Sequence, residues 1–434
     1  MKIHFIGIGG IGLSALARFL KNDGHEVCGS DMKPSPITKQ LEEEGIIVNC
    51  PQDAKNIQDP DIVIYSAAVT DENPELIESR IKQIRTLSRK EALPIILGDK
   101  KNYCVAGAHG KSTTTAILAS ILNSSALIGA ISKDFNSNFR YVDDLVAFEA
   151  DESDASFLLS NPYCSIVTNA EPEHMEYYNY DYDKFFESYE KFINLGKVRV
   201  INAEDEHVQK LDIQEAIRLY PSHDIKNLSY ILKDDEPFTK FELKEYGSFE
   251  VWGFGYHIAI DAALAILAAL NEIDVETIRE NLKSYRGIKK RFDVLQKCEH
   301  FVLIDDYAHH PTEIEATMKS VELYDNLKNL NKRVMIWQPH KYSRTNDNLE
   351  GFKKCFKRCD ELVILPIWTV AGEKEIIIDF EKEFESYNPI FADSVRAGDC
   401  TIELIKDGKV IASYDKGLIV GVGAGDITYQ LRQN

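Results

Sequence analysis

The sequence has no long hydrophobic run, because no apolar stretch reaches the ~18 residues that a membrane-spanning helix requires. It also contains no internal repeat with a period of ~20–50 residues and no low-complexity tract. The first residues, Met-Lys-Ile-His-Phe-Ile-Gly, lead directly into a strand pattern and a glycine turn, which is not the pattern of a signal peptide. We therefore expect a cytoplasmic protein without a membrane partner.

Positive charge and paired cysteines are also scarce. The 434 residues include 50 Lys and Arg against 70 Asp and Glu, which gives a formal net charge of −20. Nucleic acids and anionic membrane surfaces would repel such a chain, so we expect neither as a partner. The 8 cysteines form no Cys-x-x-Cys pair. This pattern predicts reduced thiols and no cysteine metal site.

Strand and helix patterns alternate along the chain and divide it into three segments. We predict an α/β fold with three domains: a Rossmann-like amino-terminal domain over 1–98, a central P-loop ATPase-type domain over 99–292, and a carboxy-terminal Rossmann-like domain over 293–434. Residues 228–254 alternate polar and apolar and predict a small antiparallel patch. The main predicted strands are Ile3–Ile8, Glu26–Ser30, Asp61–Tyr65, Tyr103–Ala106, Leu145–Phe148, Ser165–Thr168, Val198–Ile201, Phe301–Ile304, Arg333–Trp337, Glu361–Leu365 and Gly417–Val420.

The first glycine turn follows the first predicted strand. It reads Gly7-x-Gly9-x-x-Gly12, and Asp31 stands at the end of the next predicted strand. Such a turn and the helix start behind it bind a diphosphate, and the acidic residue binds a ribose. The pattern alone leaves open whether the ligand is NAD or a UDP-sugar.

The second glycine turn carries the strongest functional signal in the chain. It reads Gly107-Ala108-His109-Gly110-Lys111-Ser112-Thr113-Thr114-Thr115, between the strand pattern Tyr103–Ala106 and a helix pattern over 116–122. Val105 stands where the general P-loop pattern has its first glycine, so the chain has the shorter Gly-x-x-Gly-Lys-Ser form. Lys111 would neutralise the β- and γ-phosphates of a nucleoside triphosphate, and the Ser112 hydroxyl would bind Mg²⁺.

Acidic and histidine side chains follow two further strand patterns of the central segment. Glu149-Ala150-Asp151-Glu152-Ser153-Asp154 comes after one strand, and Thr168–His174 comes after the next. Because parallel strands place their carboxyl ends at one edge of a sheet, both strings would lie beside the second glycine turn. Clustered carboxylates suit Mg²⁺, and Glu149 and His174 would hold a second ion.

Polar strings follow three strand patterns of the third segment: Asp305–Glu313, Gln338–Thr345 and Gly421–Ile427. His309 and His310 are adjacent and would point apart on a helix, so substrate or nucleotide contact is favoured over a two-histidine metal site. Lys341 and Arg344 are candidates for binding a carboxylate, which Arg contacts with two parallel hydrogen bonds.

Eight ordered strings together resemble the Mur ligases, and the resemblance covers essentially the whole chain. They are Ile6–Gly12, Gly107–Thr115, Glu149–Phe157, Thr168–His174, Arg291-Phe292, Asp305–Glu313, Gln338–Thr345 and Gly423–Ile427. The resemblance implies a cytoplasmic ligase of peptidoglycan synthesis that uses ATP and Mg²⁺ to join L-alanine to the carboxylate of UDP-N-acetylmuramate. That carboxylate would attack the γ-phosphate to give an acyl phosphate and ADP, and the amine of the amino acid would then displace phosphate.

The resemblance also assigns the site residues. The sugar nucleotide would contact Gly9, Gly10, Ile11, Gly12, Asp31 and Ser66. ATP would contact Gly107, Ala108, His109, Gly110, Lys111, Ser112, Thr113, His257, Arg291 and Asp306. The catalytic residues would be Lys111, Glu149, His174 and Arg291, with Mg²⁺ held by Ser112, Glu149 and His174. The amino acid would contact His309, His340, Lys341 and Arg344.

Several positions depart from the family pattern. Ile258 and Asp261 stand where the family has two Asn residues, and Lys341 stands where it has Arg, which loses the bidentate geometry. Some members use a modified lysine downstream of the histidine of the central domain. Here Tyr189, and not a lysine, lies 15 residues after His174, which agrees with the branch that adds L-alanine.

Three alternatives remain at this stage. A sister ligase that attaches a preformed tripeptide during wall recycling would share the ATP site and differ in its amine pocket. An NAD-dependent oxidoreductase ranks far lower, because it leaves the second glycine turn unexplained. A non-catalytic sensor would bind a sugar nucleotide without releasing phosphate. The sequence does not choose among L-Ala, Gly and L-Ser, and we expect a monomer or a weak dimer.

Overall fold

The computed structural model describes residues 1–369 and 372–432. Contacts along the chain define two compact units. The first comprises Met1–Asn227, Phe241–Phe249 and Ala259–Arg286, and the second comprises Leu228–Lys240, Glu250–Ile258 and Gly287–Asn434. Within the described ranges, no helix combines the length and the apolar character that a membrane crossing needs. The predicted domain bounds at 98 and 292 stay predictions.

The amino-terminal part of the first unit is a five-stranded parallel sheet in the order β3-β2-β1-β4-β5. Its strands are β1 Lys2–Ile6, β2 Glu26–Ser30, β3 Ile47–Asn49, β4 Ile62–Tyr65 and β5 Arg85–Ser88, and its helices are α1 Ile11–Asn22, α2 Pro36–Glu43, α3 Pro74–Ile81 and α4 Arg89–Leu97. The strand order reverses between β1 and β4. Open α/β sheets bind ligands beyond the carboxyl ends of the strands at such a point.

The second sheet of this unit has seven strands in the order β12-β11-β10-β6-β9-β7-β8. Its elements are β6 Lys101–Ala106, α5 Lys111–Leu122, β7 Ser125–Ser132, β8 Ser137–Arg140, β9 Leu145–Glu149, β10 Cys164–Val167, α6 Tyr182–Leu195, β11 Val198–Asn202 and β12 Ile217–Leu219. All neighbouring pairs are parallel except β7 and β8. The central strand β6 therefore has β10 on one side and β9 on the other.

A three-stranded sheet in the order β13-β14-β15 lies where a small sheet was predicted, over 228–254. The elements of this stretch are α7 Pro221–Asp224, β13 Ile225–Lys233, β14 Glu236–Leu243, β15 Ser248–Trp252, α8 Tyr256–Ala269 and α9 Val275–Leu282. Helix α8 is almost entirely apolar, and ten of its residues are buried.

The second unit contains a six-stranded sheet in the order β16-β17-β24-β18-β19-β20, parallel except for the pair β16 and β17. A second, antiparallel sheet has the order β21-β22-β23. The strands are β16 Asp293–Lys297, β17 Phe301–Asp306, β18 Arg333–Trp337, β19 Glu361–Ile364, β20 Ile390–Phe391, β21 Ser394–Gly398, β22 Thr401–Lys406, β23 Lys409–Tyr414 and β24 Gly417–Val422. The helices are α10 Pro311–Lys328, α11 Tyr342–Asp347, α12 Leu349–Cys355, α13 Phe380–Glu383 and α14 Ile427–Arg432.

Helix starts differ in how their free N–H groups are satisfied. Helices α2 and α4 begin with capping boxes, formed by Ser35 with Thr38 and by Ser88 with Glu91. Helices α1 and α5 instead begin after Gly10 and Gly110 and have no side-chain cap. Their first N–H groups are therefore free to bind an anion.

The prediction that the thiols are reduced is wrong for two cysteines. Cys298 follows β16, Cys400 lies between β21 and β22, and the two form a disulfide. The side chain of Gln296 joins the same segments, because its amide donates to the Gly398 carbonyl at 2.9 Å and accepts from the Cys400 N–H at 3.0 Å. These residues are 102 positions apart in sequence, so their proximity depends on the sheet packing and not on any local spacing. The other six cysteines are unpaired.

Candidate active site

The first glycine turn connects β1 to α1, and Asp31 and Ser66 lie beside it. Asp31 Oδ2 accepts a hydrogen bond from the Gly9 N–H at 2.8 Å, and a Cβ on Gly9 would lie 2.7 Å from that oxygen. Ser66 follows β4 and lies against Gly7, where a Cβ would approach the Ser66 Cβ to 3.1 Å. The structure therefore brings the predicted UDP-sugar residues of three strands to the point where the strand order reverses.

The second glycine turn connects β6 to α5. Gly110 has φ 82°, a left-handed conformation that favours glycine, and α5 begins at the next residue. Neighbouring residues after β10 hold the turn: the Thr168 hydroxyl donates to the His109 carbonyl at 2.6 Å, and the Asn169 side chain bonds both the N–H and the carbonyl of His109. The backbone of the turn is thus fixed by strand β10.

Lys111 and Ser112 both face acidic side chains at the carboxyl end of β9. The Lys111 ammonium lies 2.9 Å from Glu152 Oε1 and also donates to the Gly107 and Ala108 carbonyls. The Ser112 hydroxyl lies 3.1 Å from Glu149 Oε1, and the other oxygen of Glu149 accepts from the Gly129 N–H at 2.6 Å. A serine hydroxyl beside a carboxylate is an all-oxygen donor set, which is what Mg²⁺ prefers.

His174 is exposed and has a left-handed backbone with φ 52°. It belongs to the segment after β10, and the order β10-β6-β9 places the ends of these three strands side by side, as predicted. The described residues contain no group of three or more His, Cys, Asp or Glu side chains that could hold a metal ion. The predicted Mg²⁺ site of Ser112, Glu149 and His174 contains only two side chains of these types, Glu149 and His174, and it stays a prediction.

Asp261, on α8, lies against the second glycine turn. A Cβ on Gly110 would lie 2.5 Å from Asp261 Oδ1, so only glycine fits above this carboxyl group. Burial raises the pKa of Asp261 to about 8, although the Thr114 hydroxyl opposes this shift. Sequence reasoning singled out Asp261 only as a departure from the family pattern, because its proximity to a turn 151 residues earlier has no local signal.

In the second unit, Asp306 is buried and its carboxylate is occupied by protein groups. It accepts hydrogen bonds from the Phe292 N–H at 3.0 Å, the Thr317 hydroxyl at 3.1 Å and the Ala308 N–H at 2.9 Å. Burial raises its pKa to about 6. This geometry supports a role in fixing the backbone beside Arg291, and the predicted ATP contact of Asp306 itself stays a prediction.

A polar cluster surrounds the start of α10 in the second unit. The Arg291 guanidinium lies 3.7 Å from Glu313 Oε1, and Glu313 Oε2 accepts from the backbone N–H groups of His309 at 3.0 Å and His310 at 3.2 Å. Pro311 opens the helix, as predicted from its position. Glu313 therefore links Arg291, which is predicted to contact the nucleotide, with His309, which is predicted to contact the amino acid. No role was predicted for Glu313 from the sequence.

Two histidines of this cluster have defined neighbours. Arg344 donates to His340 Nδ1 at 2.8 Å, and the rings of His309 and His340 lie 6.3 Å apart. Burial and the adjacent Arg344 lower the pKa of His340 to about 4, and burial lowers the pKa of His309. Lys341 adopts φ 67°, and its N–H donates to the Trp368 carbonyl at 2.9 Å. His309, His340 and Arg344, which are predicted to contact the amino acid, thus form one cluster. His257, which is predicted to contact ATP, is exposed at the start of α8.

The comparison with family models matches three consecutive ranges of the chain. They are the Mur ligase family catalytic domain over residues 2–101, the Mur ligase middle domain over 105–269, and the Mur ligase glutamate ligase domain over 290–412. The chain belongs to the Mur ligase family. This membership accounts for both glycine turns and excludes the NAD-dependent oxidoreductase as an interpretation of the first.

Curated relatives of this Mur ligase match it over nearly its whole length. A UDP-N-acetylmuramate–L-alanine ligase of Campylobacter curvus is 55% identical over 432 residues, 99% of this chain and 99% of that protein. A protein of the same name from Helicobacter pylori is 52% identical over 435 residues, 99% of this chain and 96% of that protein. The similarity therefore extends across all three predicted domains.

Solved structures show the same fold. The UDP-N-acetylmuramate–alanine ligase of Thermotoga maritima has a TM-score of 0.79 and 27% identity, covering 100% of this chain and 98% of that chain. A murein peptide ligase of Psychrobacter arcticus has a TM-score of 0.63 and 20% identity, with the same two coverages. The second comparison supports the fold alone.

Proposed function

We propose that this Mur ligase joins L-alanine to the carboxylate of UDP-N-acetylmuramate at the expense of ATP, through an acyl phosphate. The observation that carries the proposal is the second glycine turn, where the free N–H groups of α5, the Lys111 ammonium and the Ser112–Glu149 pair meet. The substrates are proposed from relatives that are named for this activity and are more than 50% identical over nearly the full chain.

The second glycine turn would bind the triphosphate of ATP. The helix N-terminus and Lys111 would stabilise the negative charge on the phosphoryl group during its transfer, which is the main requirement of this chemistry. Ser112 and Glu149 would hold Mg²⁺, with His174 as the further predicted ligand. When bound there, Mg²⁺ would screen the repulsion between the phosphates and the attacking carboxylate.

The first glycine turn would bind the diphosphate of the sugar nucleotide. The N–H groups at the start of α1 have no side-chain cap and are available to bind an anion, as are those of α5. Asp31 holds the Gly9 N–H and stands at the end of β2, where an acidic residue can accept the hydroxyls of a ribose. We assign Gly10, Ile11, Gly12 and Ser66 to the same ligand.

The cluster of the second unit would receive the amino acid. The Arg344 guanidinium, held by His340, carries the fixed positive charge that an α-carboxylate requires, and Lys341 follows His340 directly. His340 is neutral at pH 7 because its pKa is about 4, so it orients Arg344 without adding charge. Arg291, paired with Glu313, is the residue of this unit that we assign to the nucleotide.

The direct test is phosphate release from ATP by the full chain, with UDP-N-acetylmuramate, Mg²⁺ and single amino acids. We expect release only when the sugar nucleotide and L-alanine are both present, together with a product whose mass equals the sum of both minus one water. Release with L-serine or glycine in place of L-alanine would show how selective the amine site is. No release with any amine would contradict the proposal.

The same assay separates the two remaining alternatives. A tripeptide ligase would release phosphate with the tripeptide and not with L-alanine. A sensor would bind UDP-N-acetylmuramate and release no phosphate under any condition. We also propose that the enzyme is a monomer or weak dimer, which sedimentation of the purified chain would test, and that it is cytoplasmic, which fractionation of cells would test.

A further inference from the structure

Glu152 is a buried carboxyl group beside the second glycine turn, outside the residues that we assign to ATP, Mg²⁺ or substrate. It is 2% exposed, and its Oε1 lies 2.9 Å from the Lys111 ammonium. Its other oxygen, Oε2, is buried and has no hydrogen-bond partner among the described residues. An unsatisfied buried carboxylate oxygen is costly, so this arrangement requires a compensating reason.

All three donors of the Lys111 ammonium are directed at protein groups. They meet Glu152 Oε1 and the carbonyls of Gly107 and Ala108, which belong to the turn itself. A lysine ammonium has three N–H groups and no more. To reach a triphosphate, Lys111 must therefore give up at least one of these acceptors.

The surroundings of Glu152 make the loss of its partner expensive. Burial raises the pKa of Glu152, Lys111 opposes that shift, and the neighbouring Asp151 adds to it. The Arg89 guanidinium pairs with the neighbouring Asp151 at 3.8 Å. The Tyr178 hydroxyl donates to the backbone carbonyl of Glu152 and not to its carboxylate. Lys111 is thus the one cation paired with Glu152 in the described part of the chain.

We propose that Glu152 is a positioning residue that holds the Lys111 ammonium against the second glycine turn and competes with the triphosphate for it. The inference rests on the proposed function, because it takes the ligand of the turn to be ATP. Binding of ATP then leaves Glu152 buried without a cation, and this cost lowers the affinity of the turn for nucleotide. Glu152 keeps Lys111 ordered before ATP arrives and limits how tightly ATP binds afterwards.

The test is the dissociation constant of β,γ-methylene-ATP with Mg²⁺, measured by calorimetry on the full chain. Glu152→Gln keeps the shape of the side chain and removes its charge. We expect the dissociation constant to fall about tenfold. ATP no longer has to break the charge-assisted hydrogen bond between Lys111 and Glu152, and such a bond contributes roughly that factor to an equilibrium constant. Glu176→Gln, which removes one carboxylate from an exposed position of the same unit, is the matched control and should change the constant less than about twofold.

A double-mutant cycle identifies Lys111 as the group through which Glu152 acts. In the Lys111→Ala background, Glu152→Gln should leave the weakened binding unchanged within about twofold. An equal gain in both backgrounds would show a general charge effect and overturn the inference. An unchanged or weaker affinity in the single variant would overturn it as well.

Two further outcomes are informative. If Glu152→Gln does not fold, as judged by its melting curve, Glu152→Met tests the same prediction with a side chain of similar volume, and the same gain in affinity is expected. If the unsubstituted chain binds no nucleotide, the proposed function and this inference both fail. Nucleotide binding with an unchanged constant in the variants would overturn the inference alone.

Discussion

Both glycine turns of the first unit follow a buried parallel strand and lead into a helix without a side-chain cap, but the charged groups beside them differ. Beside the first turn, Asp31 accepts two backbone N–H groups, from Gly9 and Met32. Beside the second, Lys111 and Ser112 pair with Glu152 and Glu149. The two turns thus share one strand–turn–helix backbone and differ in the charged side chains beside it.

The difference shows what distinguishes a binding turn from a phosphoryl-transfer turn. A diphosphate that is only held keeps the same charge throughout, so a fixed set of N–H groups can bind it. A phosphoryl group in transfer redistributes its charge, and that requires a cation and a metal ligand set that can change partners. In our proposal, Glu152 and Glu149 beside the second turn would be the partners of Lys111 and Ser112 until ATP binds.

The largest effect is expected for Lys111→Ala. Loss of the ammonium should lower kcat by about 10³-fold or more, because it removes a charge that acts on the transferring phosphoryl group. Calorimetry with UDP-N-acetylmuramate should give an unchanged dissociation constant, because the first turn is untouched. Weakened sugar-nucleotide binding would show that the two turns do not have separate roles.

A smaller loss is expected for Glu149→Gln. The amide keeps a hydrogen bond to Ser112 but removes the charge that would attract Mg²⁺, so we expect a fall of about 10²-fold in kcat/KM. The Mg²⁺ concentration that gives half-maximal rate should rise in parallel, which a titration of the rate with MgCl₂ measures. A lower rate with an unaltered Mg²⁺ dependence would remove Glu149 from the metal site.

Gly9→Ala tests the first turn. The new Cβ would lie 2.7 Å from Asp31 Oδ2 and would force the carboxylate away from the turn. We expect KM for UDP-N-acetylmuramate to rise about tenfold while kcat stays within about twofold, because the lost binding energy is the same in the ground state and the transition state. Initial rates at varied sugar nucleotide and at varied ATP separate the two parameters. A rise confined to KM for ATP would contradict the assignment of this turn.

Asp261→Asn should have the smallest effect on turnover and a visible effect on stability. The folded pKa of about 8 lies above the unfolded value of 3.8, so the folded state binds more protons between these values. Stability from this group therefore falls as the pH rises from about 4 to about 8. We expect the variant to melt about 2–5 °C higher than the unsubstituted chain at pH 8, with the gap closing towards pH 5. A gap that does not depend on pH would show that Asp261 does not titrate in this way.

Local sequence patterns predicted most of the sheet framework. The strands Glu26–Ser30 and Arg333–Trp337 have the predicted bounds. Strand β1 ends at Ile6 and not at Ile8, because Gly7 has φ 81° and takes the chain out of the extended conformation. Helix α5 begins at Lys111, five residues earlier than its predicted start. The prediction began too late because the first turn is rich in Ser and Thr, whose weak helix propensity hid the start of the helix.

Partners that are distant in sequence could not be predicted. The strings around Lys111 and Glu149 were predicted to share one sheet edge, and the strand order confirms this. The pairing of Glu152 with Lys111 and the contact of Asp261 with Gly110 depend on side-chain directions and burial, which no spacing encodes. The disulfide was missed because it depends on how the second unit packs. The antiparallel sheet β21-β22-β23 was missed although its strands are joined by two-residue turns, of which Asp407-Gly408 is a local hairpin signal.

We propose that a phosphoryl group passes from ATP at the second turn to the carboxylate of the sugar nucleotide held by the first turn. The most direct test uses UDP-N-acetylmuramate with ¹⁸O in its lactyl carboxylate, L-alanine, Mg²⁺ and ATP, followed by mass analysis of the released phosphate. An acyl phosphate passes one carboxylate oxygen to phosphate when the amine displaces it, so we expect one ¹⁸O per phosphate released. Unlabelled phosphate, formed together with the amide product, would contradict it.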